Sequence, residues 1–143
     1  MAGKKVLVVD DDPDILDVVT MILESQDYEV VVARDGMECF DKLGAERPDL
    51  MILDLLMPRM DGFAVYKELQ DPKWSEYQDM PILVLTSVRE EASRRRYELE
   101  TSQELGVDDY LEKPLSPQIL LGSVRRLLER KQRVQPTRDS SRR

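Results

Sequence analysis

The chain has 143 residues, 41% hydrophobic and 35% charged, a balance typical of one folded domain with a buried core. It contains one cysteine and no histidine, which excludes an internal disulfide, a cysteine-based zinc site, histidine-ligated metals and Ser-His-Asp catalysis. No apolar stretch approaches the roughly 20 residues that span a bilayer, and the first apolar run is too short for a signal peptide. We therefore expect a cytoplasmic protein without membrane insertion.

The charges are unevenly distributed along the chain. The segment Arg125–Arg143 holds eight basic and two acidic residues, a net charge of +6, so the rest of the chain carries −14. An acidic body argues against direct nucleic-acid binding, which needs a broad basic surface. Because the basic end is rich in Gln, Pro, Thr and Ser, we expect residues 132–143 to form a disordered tail.

Short apolar runs alternate along the chain with segments of helical periodicity. The predicted order is strand Val6–Val9, helix face Ile15, Val18, Val19, Ile22 and Leu23, strand Val30–Ala33, and helix face Met37, Phe40 and Leu43. It continues with strand Leu50–Leu53, helix face Phe63, Tyr66 and Leu69, strand Ile82–Leu85, a helix over roughly residues 90–105, strand Tyr110–Leu111, and helix face Ile119, Leu120, Val124, Leu127 and Leu128. Five strands alternating with five helices predict an α/β fold, a parallel sheet covered on both faces. Ser116 and Pro117 are typical of the start of the last helix.

Three of the predicted strands end at polar residues. Asp10, Asp11 and Asp12 follow the first strand, Asp54 follows the third and Thr86 follows the fourth. The carboxyl ends of parallel strands lie at one edge of the sheet, where open α/β sheets bind ligands. If the first and third strands are neighbours, three carboxylates lie close together and repel each other unless a cation joins them. Oxygen ligands without His or Cys suit Mg²⁺.

Four motifs in register carry a resemblance to a known family. They are Val-Leu-Val-Val-Asp-Asp-Asp-Pro at 6–13, Leu-Asp-Leu-Leu-Met-Pro at 53–58 with Asp-Gly at 61–62, Thr-Ser at 86–87, and Asp-Tyr-Leu-Glu-Lys-Pro at 109–114. Together they resemble the CheY-like receiver domain of bacterial two-component response regulators. The resemblance implies a flavodoxin-like doubly wound fold with five parallel strands in the order 2-1-3-4-5, over residues 1–131.

The resemblance also implies the roles of the polar residues. Asp54 matches the phosphoacceptor, Asp11 a direct Mg²⁺ ligand, and Asp10 a residue that acts largely through a water molecule. The main-chain carbonyl of Leu56 matches a further ligand, and Lys113 the lysine that pairs with the phosphoryl oxygens. The implied cofactor is Mg²⁺, with Mn²⁺ as an alternative.

Further positions match the family's switch and tuning residues. Thr86 matches the hydroxyl that moves to meet the phosphoryl group, Tyr110 the switch aromatic, and Pro114 the cis-proline. Leu56 and Val88 match the positions that tune hydrolysis of the acyl phosphate. Because neither side chain can hydrogen-bond an attacking water, we hypothesise slow self-dephosphorylation.

The predicted function is a phosphoacceptor signalling switch, not an enzyme with turnover. The phosphoryl donor implied by the resemblance is a sensor histidine kinase or a histidine phosphotransfer protein. Phosphorylation would shift a two-state equilibrium in the face formed by the fourth helix, the fifth strand and the fifth helix, and so control a downstream protein partner, with a homodimer on activation as another outcome. The stretch between Thr86 and Lys113 exceeds the family's usual length by roughly one helical turn, so an extended fourth helix or an enlarged loop is expected there.

Several alternatives stay open at this stage. The chain is a stand-alone regulator, since too few residues follow the fifth helix for another folded domain, or a receiver excised from a larger protein. An aspartyl-phosphate phosphatase is disfavoured because Asp54 is followed by Leu55 and Leu56 rather than by a second catalytic aspartate two residues later. A flavodoxin-type electron carrier would need a hydroxyl-rich loop after the first strand, and a degenerate docking module would lack the acidic and basic switch positions.

Overall fold

A computed structural model describes residues 3–55, 57, 60–87, 95, 96, 98, 106–113 and 115–141, with the backbone alone described from 131 to 141. The strands are β1 (Lys5–Val9), β2 (Glu29–Ala33), β3 (Leu50–Asp54), β4 (Ile82–Thr86) and β5 (Asp109–Glu112). The helices are α1 (Pro13–Glu24), α2 (Gly36–Glu46), α3 (Gly62–Leu69), a 3-10 helix (Pro72–Tyr77) and the C-terminal helix (Pro117–Ser141). Within these described ranges, no helix is both long and apolar enough to cross a membrane.

The five strands form one parallel sheet in the order β2-β1-β3-β4-β5. This confirms the predicted α/β class, the strand order 2-1-3-4-5 and the position of every predicted strand. Strands β3 and β4 are buried along their whole length, as expected for strands covered on both faces. The order makes β1 and β3 neighbours, which is the condition on which the predicted acidic site depends.

The sheet separates two hydrophobic cores. One core packs α1 and the C-terminal helix against residues such as Val8, Ile52 and Leu83. The other packs α2 and α3 against the alternate residues of the same strands, such as Leu7 and Leu53. The two cores hold the strands from both sides, so the carboxyl edge of the sheet is placed by packing on either face.

Three predicted core positions are wrong, because the apolar residues of these helices do not all lie on one face. In α1, Val18 is 46% exposed, whereas Leu16, which the sequence analysis did not select, is buried. Met37 in α2 is 62% exposed and Ile119 in the C-terminal helix is 59% exposed. In α1, apolar residues lie on several sides of the helix. The sequence pattern alone is therefore compatible with more than one buried helix face.

Aspartates begin four of the helices. Asp12 Oδ1 accepts a hydrogen bond of 2.9 Å from the Asp14 N–H at the start of α1. At the starts of α2, α3 and the 3-10 helix, a main-chain N–H likewise donates to an aspartate side chain, that of Asp35, Asp61 and Asp71 respectively. At the C-terminal helix the Ile119 N–H donates to the Ser116 hydroxyl oxygen, so that predicted helix start is confirmed.

Two predictions concern parts of the chain with a limited description. Most of the expected extended fourth helix or enlarged loop lies outside the described residues, which include only Arg95, Arg96 and Glu98 from that segment. From residue 132 to Ser141 the backbone is helical in the structure, where the sequence predicts a disordered tail. The division of the chain at residue 131 stays a prediction.

Candidate metal site at the carboxyl edge of the sheet

Three carboxylates meet where β1 and β3 end. The pairing of Val9 with Leu53 brings the residues that follow them, Asp10 and Asp54, to the same edge of the sheet. One carboxylate oxygen from each of Asp10, Asp11 and Asp54 lies within 4.8 Å of the others. Asp10 and Asp54 are buried and Asp11 is exposed. The structure thus brings together the three acidic residues that the sequence predicts as neighbours.

Asp10 is held by main-chain hydrogen bonds on both sides. Its N–H donates to the Ala33 carbonyl of β2 at 3.1 Å, and its Oδ1 accepts the Asp12 N–H at 3.0 Å. Burial raises the pKa of the Asp10 carboxyl, and the Asp12 N–H and the positive charge of Lys113 partly oppose this effect. Its second oxygen, Oδ2, accepts no hydrogen bond within the described part of the chain. This oxygen is therefore suited to a cation.

Lys113 joins the acidic cluster from the end of β5. Its Nζ lies 3.4 Å from Asp10 Oδ2 and 3.5 Å from Asp54 Oδ1. Its main-chain N–H donates to the Thr86 carbonyl at 2.8 Å, which continues the β4–β5 pairing by one residue. The lysine is therefore fixed at its main chain and its ammonium group lies close to both buried carboxylates, whereas its pairing with phosphoryl oxygens stays a prediction.

Thr86 and Tyr110 lie on the strands beside the cluster. Thr86 ends β4 and is buried, next in the chain to Leu85, the residue that pairs with Asp54. Its hydroxyl donates to the Ser87 carbonyl at 3.1 Å, a contact within its own segment. Tyr110 of β5 pairs with Val84 of β4 and is half-buried against the core that contains α2 and α3. The switch roles of both residues stay predictions.

Three predicted residues lie outside the described part of the chain. These are Leu56, with its carbonyl ligand and tuning role, Val88, with its tuning role, and Pro114, the predicted cis-proline. Their roles stay predictions on the strength of the sequence.

The donor set fits a hard divalent cation. It consists of carboxylate oxygens, two from buried residues and one from the exposed Asp11, and Mg²⁺ prefers such ligands and keeps several water molecules. Among the described residues, the ammonium group of Lys113 is the positive charge that ion-pairs with this cluster, and one such charge does not balance three carboxylates so close together. Asp10, Asp11 and Asp54 are thus the residues that would hold the ion.

Gly36 makes a contact with the chain beyond Asp54 that sequence reasoning missed. Its N–H donates to the Met60 carbonyl at 2.9 Å, next to the segment that follows Asp54. A glycine at the first position of a helix, directly after the capping Asp35, was the available signal, because glycine is a poor helix former.

Comparisons with known proteins agree with this fold. Residues 6–125 match the family model described as the response regulator receiver domain. The chain is 38% identical over 135 residues to the alkaline phosphatase synthesis transcriptional regulatory protein PhoP of Bacillus subtilis, covering 94% of this chain and 52% of that protein. The chain spans about half the length of the curated relatives it matches.

Solved structures of other receivers are similar to the chain along most of its length. The chemotaxis protein CheY4 of Vibrio cholerae is 33% identical with a TM-score of 0.74, covering 88% of this chain and 99% of that chain. The signal receiver domain of a histidine kinase from Syntrophus aciditrophicus is 32% identical with a TM-score of 0.73, covering 89% and 91%. With the acidic cluster at the edge of a 2-1-3-4-5 sheet, these matches show that the chain belongs to the response regulator receiver domain family.

Proposed function

We propose that this receiver is a Mg²⁺-dependent phosphoacceptor, with Asp54 as the residue that takes the phosphoryl group. The observation that carries the proposal is the meeting of Asp54 with Asp10, Asp11 and Lys113 at one edge of the sheet. Phosphoryl transfer requires an acceptor oxygen in line with the leaving group and positive charge beside the equatorial oxygens. Lys113 supplies one such charge, and a bound Mg²⁺ would supply the other.

The transfer step balances as a simple displacement. A carboxylate oxygen of Asp54 forms the new P–O bond while the P–N bond to the imidazole of a donor phosphohistidine breaks. The leaving imidazole nitrogen keeps the bonding electron pair. Lys113, 3.5 Å from Asp54 Oδ1, is placed to pair with the phosphoryl oxygens after transfer. Membership of the receiver family suggests a sensor histidine kinase or a histidine phosphotransfer protein as the donor.

The output of the switch is a change of shape read by another protein. Thr86 ends β4 beside the cluster, and its hydroxyl donates to the Ser87 carbonyl within its own segment. Phosphorylation would draw this hydroxyl inward and let Tyr110 bury further. The altered face is the one formed by the predicted fourth helix, β5 and the C-terminal helix. It would control a protein effector in the cytoplasm or promote a homodimer.

The decisive test is to locate the phosphoryl group. The full chain is incubated with MgCl₂ and acetyl phosphate, and the labelled residue is identified by mass spectrometry after reduction of the acyl phosphate. We expect labelling of wild type, loss of labelling in Asp54→Asn, and normal labelling in Asp17→Asn, an exposed carboxylate on α1. Labelling of Asp54→Asn at the wild-type level would refute Asp54 as the acceptor.

The apolar residues Leu56 and Val88 lead us to propose a persistent phosphorylated state. Without a side chain at these positions to hydrogen-bond an attacking water, hydrolysis of the acyl phosphate should be slow. Decay of the label is followed in Mg²⁺ buffer after removal of the donor, for wild type and for Leu56→Glu. A half-life of seconds in wild type would contradict the proposal.

A further inference from the structure

Two helices begin with a glycine where they meet the chain that follows Asp54. Gly36 is the first residue of α2 and Gly62 is the first residue of α3. Neither has a positive φ angle, so the conformational freedom of glycine does not explain its presence at these positions. Glycine is also among the poorest helix formers. What these positions do require is close approach to another part of the backbone.

Gly62 lies directly against the main chain of the acceptor. Its N–H donates to the Leu55 carbonyl at 2.9 Å. A Cβ atom at this position would lie 2.3 Å from the Asp54 carbonyl oxygen and 2.7 Å from Leu55 Cα. These are backbone atoms, so they cannot give way without displacing Asp54 itself. The absence of a side chain is therefore what lets α3 begin here.

Gly36 makes the equivalent contact at the other end of the same segment. Its N–H donates to the Met60 carbonyl at 2.9 Å, and a Cβ atom would lie 2.6 Å from that carbonyl oxygen. Met60 precedes Asp61, whose Oδ1 accepts the Ala64 N–H and begins α3. Leu55 and Met60 thus each accept a hydrogen bond from a glycine that begins a helix.

We propose that Gly36 and Gly62 are positioning residues for the phosphoacceptor site. Gly62 fixes the main chain of Asp54 and Leu55, and Gly36 fixes Met60, which lies further along the same segment. The inference rests on the proposed function, because Asp54 and a bound Mg²⁺ give this segment its chemical role. Neither glycine touches the reacting atoms, so both act through the backbone that they hold.

The chain offers matched controls for this proposal. Gly44 lies within α2, the same helix as Gly36, and Gly122 lies in the C-terminal helix. Apart from the backbone of its own helix, a Cβ atom at either control position would meet no atom of the described residues within 4 Å. All four Gly→Ala substitutions add one methyl group to a helix, but only Gly36→Ala and Gly62→Ala place it against the acceptor segment.

The experiment measures the site and the fold separately in the full chain. For each variant, calorimetry with MgCl₂ alone gives the metal dissociation constant. Acetyl phosphate labelling at saturating Mg²⁺ gives the phosphorylation rate. Both measurements are made at a temperature far below the melting temperature of the variant. For Gly36→Ala and Gly62→Ala we expect metal binding weakened about tenfold or more, the range seen when residues that orient metal ligands are changed. We also expect slower labelling that saturating Mg²⁺ does not restore, because a small displacement of the acceptor is sufficient to slow transfer.

The controls Gly44→Ala and Gly122→Ala should keep both values within about twofold of wild type, as expected where the added methyl meets nothing. A folded Gly36→Ala or Gly62→Ala variant with a lower melting temperature but unchanged metal affinity and labelling would overturn the proposal. That result would mean that the glycine contributes to the stability of the fold and not to the geometry of the site.

If the site variants do not fold, amide hydrogen exchange of the wild-type chain decides. Saturating MgCl₂ should slow exchange of the Gly36 and Gly62 N–H groups more than that of the Gly44 and Gly122 N–H groups. Equal protection at all four positions would overturn the proposal. A wild-type chain that neither binds Mg²⁺ nor takes the label would overturn the proposed function and this inference with it, whereas normal wild type with normal site variants overturns only the inference.

Discussion

Strand β5 has charged contacts at both of its ends, and the two sets differ in burial. At the carboxyl end, Lys113 lies between Asp10 and Asp54, two carboxylates that the fold removes from water. Desolvating such charges costs free energy that pairing alone does not fully return. Fold stability therefore does not account for this cluster, whereas the proposed binding of a cation and a phosphoryl group would.

At the amino end, two arginines of the C-terminal helix pair with consecutive aspartates. Arg130 Nη2 lies 2.6 Å from Asp108 Oδ1, and Arg126 pairs with Asp109. The arginine side chains are 48% and 60% exposed, so solvent screens both pairs. Acidic and basic side chains thus meet at both ends of β5, with buried carboxylates at the carboxyl end and largely exposed arginines at the amino end.

The largest effect is expected for Lys113→Met, which removes the ammonium group but keeps a side chain of similar reach. Two buried carboxylates then lose a positive neighbour, and we expect the free energy of unfolding in metal-free buffer to fall by about 3 kcal/mol. Urea denaturation in EDTA at neutral pH measures it. A loss below about 1 kcal/mol, the range of exposed ion pairs, would erase the contrast between the two ends of β5.

The next effect is stabilisation of wild type by Mg²⁺. Binding to the folded state alone should add about 2.7 kcal/mol when the free ion is at 100 times its dissociation constant. In Asp11→Asn we expect this gain to disappear while the metal-free stability stays within about 0.5 kcal/mol of wild type, since Asp11 is exposed. Thermal melts with and without MgCl₂, matched in ionic strength with NaCl, test this. A full Mg²⁺ response in Asp11→Asn would remove Asp11 from the ligand set.

A smaller effect of opposite sign is expected for Asp10→Asn. Burial raises the pKa of the Asp10 carboxyl, which means that the fold disfavours its ionised form. The amide keeps an oxygen to accept the Asp12 N–H but carries no charge. Metal-free protein should therefore become more stable by about 1 kcal/mol in urea denaturation. A loss of stability would indicate that the pair with Lys113 outweighs the desolvation.

The smallest effects are expected at the amino end of β5. Arg126→Ala and Arg130→Ala should each lower the free energy of unfolding by less than about 1 kcal/mol, because exposed ion pairs contribute little. In 1 M NaCl the difference from wild type should shrink further. A loss above about 2 kcal/mol in either variant would mean that these pairs are important to the attachment of the C-terminal helix.

The strands were predictable because burial on both faces leaves a continuous apolar run in the sequence. Residues such as Val8 and Ile52 lie in one core and their chain neighbours in the other, so no polar face interrupts the pattern. Helix faces were harder to predict. Val18 and Leu16 are both apolar and only two residues apart, and only the packing of α1 on the sheet decides that Leu16 is buried.

The acidic part of the site was also predictable, because Asp10 and Asp54 each follow a buried strand and parallel strands share their carboxyl edge. The contact of Gly36 with Met60 was not predictable, since it depends on how closely α2 approaches a segment 24 residues further along the chain. No short-range pattern encodes that distance. The roles of Leu56 and Val88 come from family resemblance alone.

The bond from the Lys113 N–H to the Thr86 carbonyl has a consequence for how this chain tolerates changes in length. A shift of one residue between β4 and β5 would move the lysine along the edge by about 3.3 Å and turn its side chain to the opposite face of the sheet. An insertion inside Asp109–Glu112 should therefore disable the acceptor, whereas one in the longer segment before β5 leaves this register intact. Length variation among related chains is expected on that side of the strand.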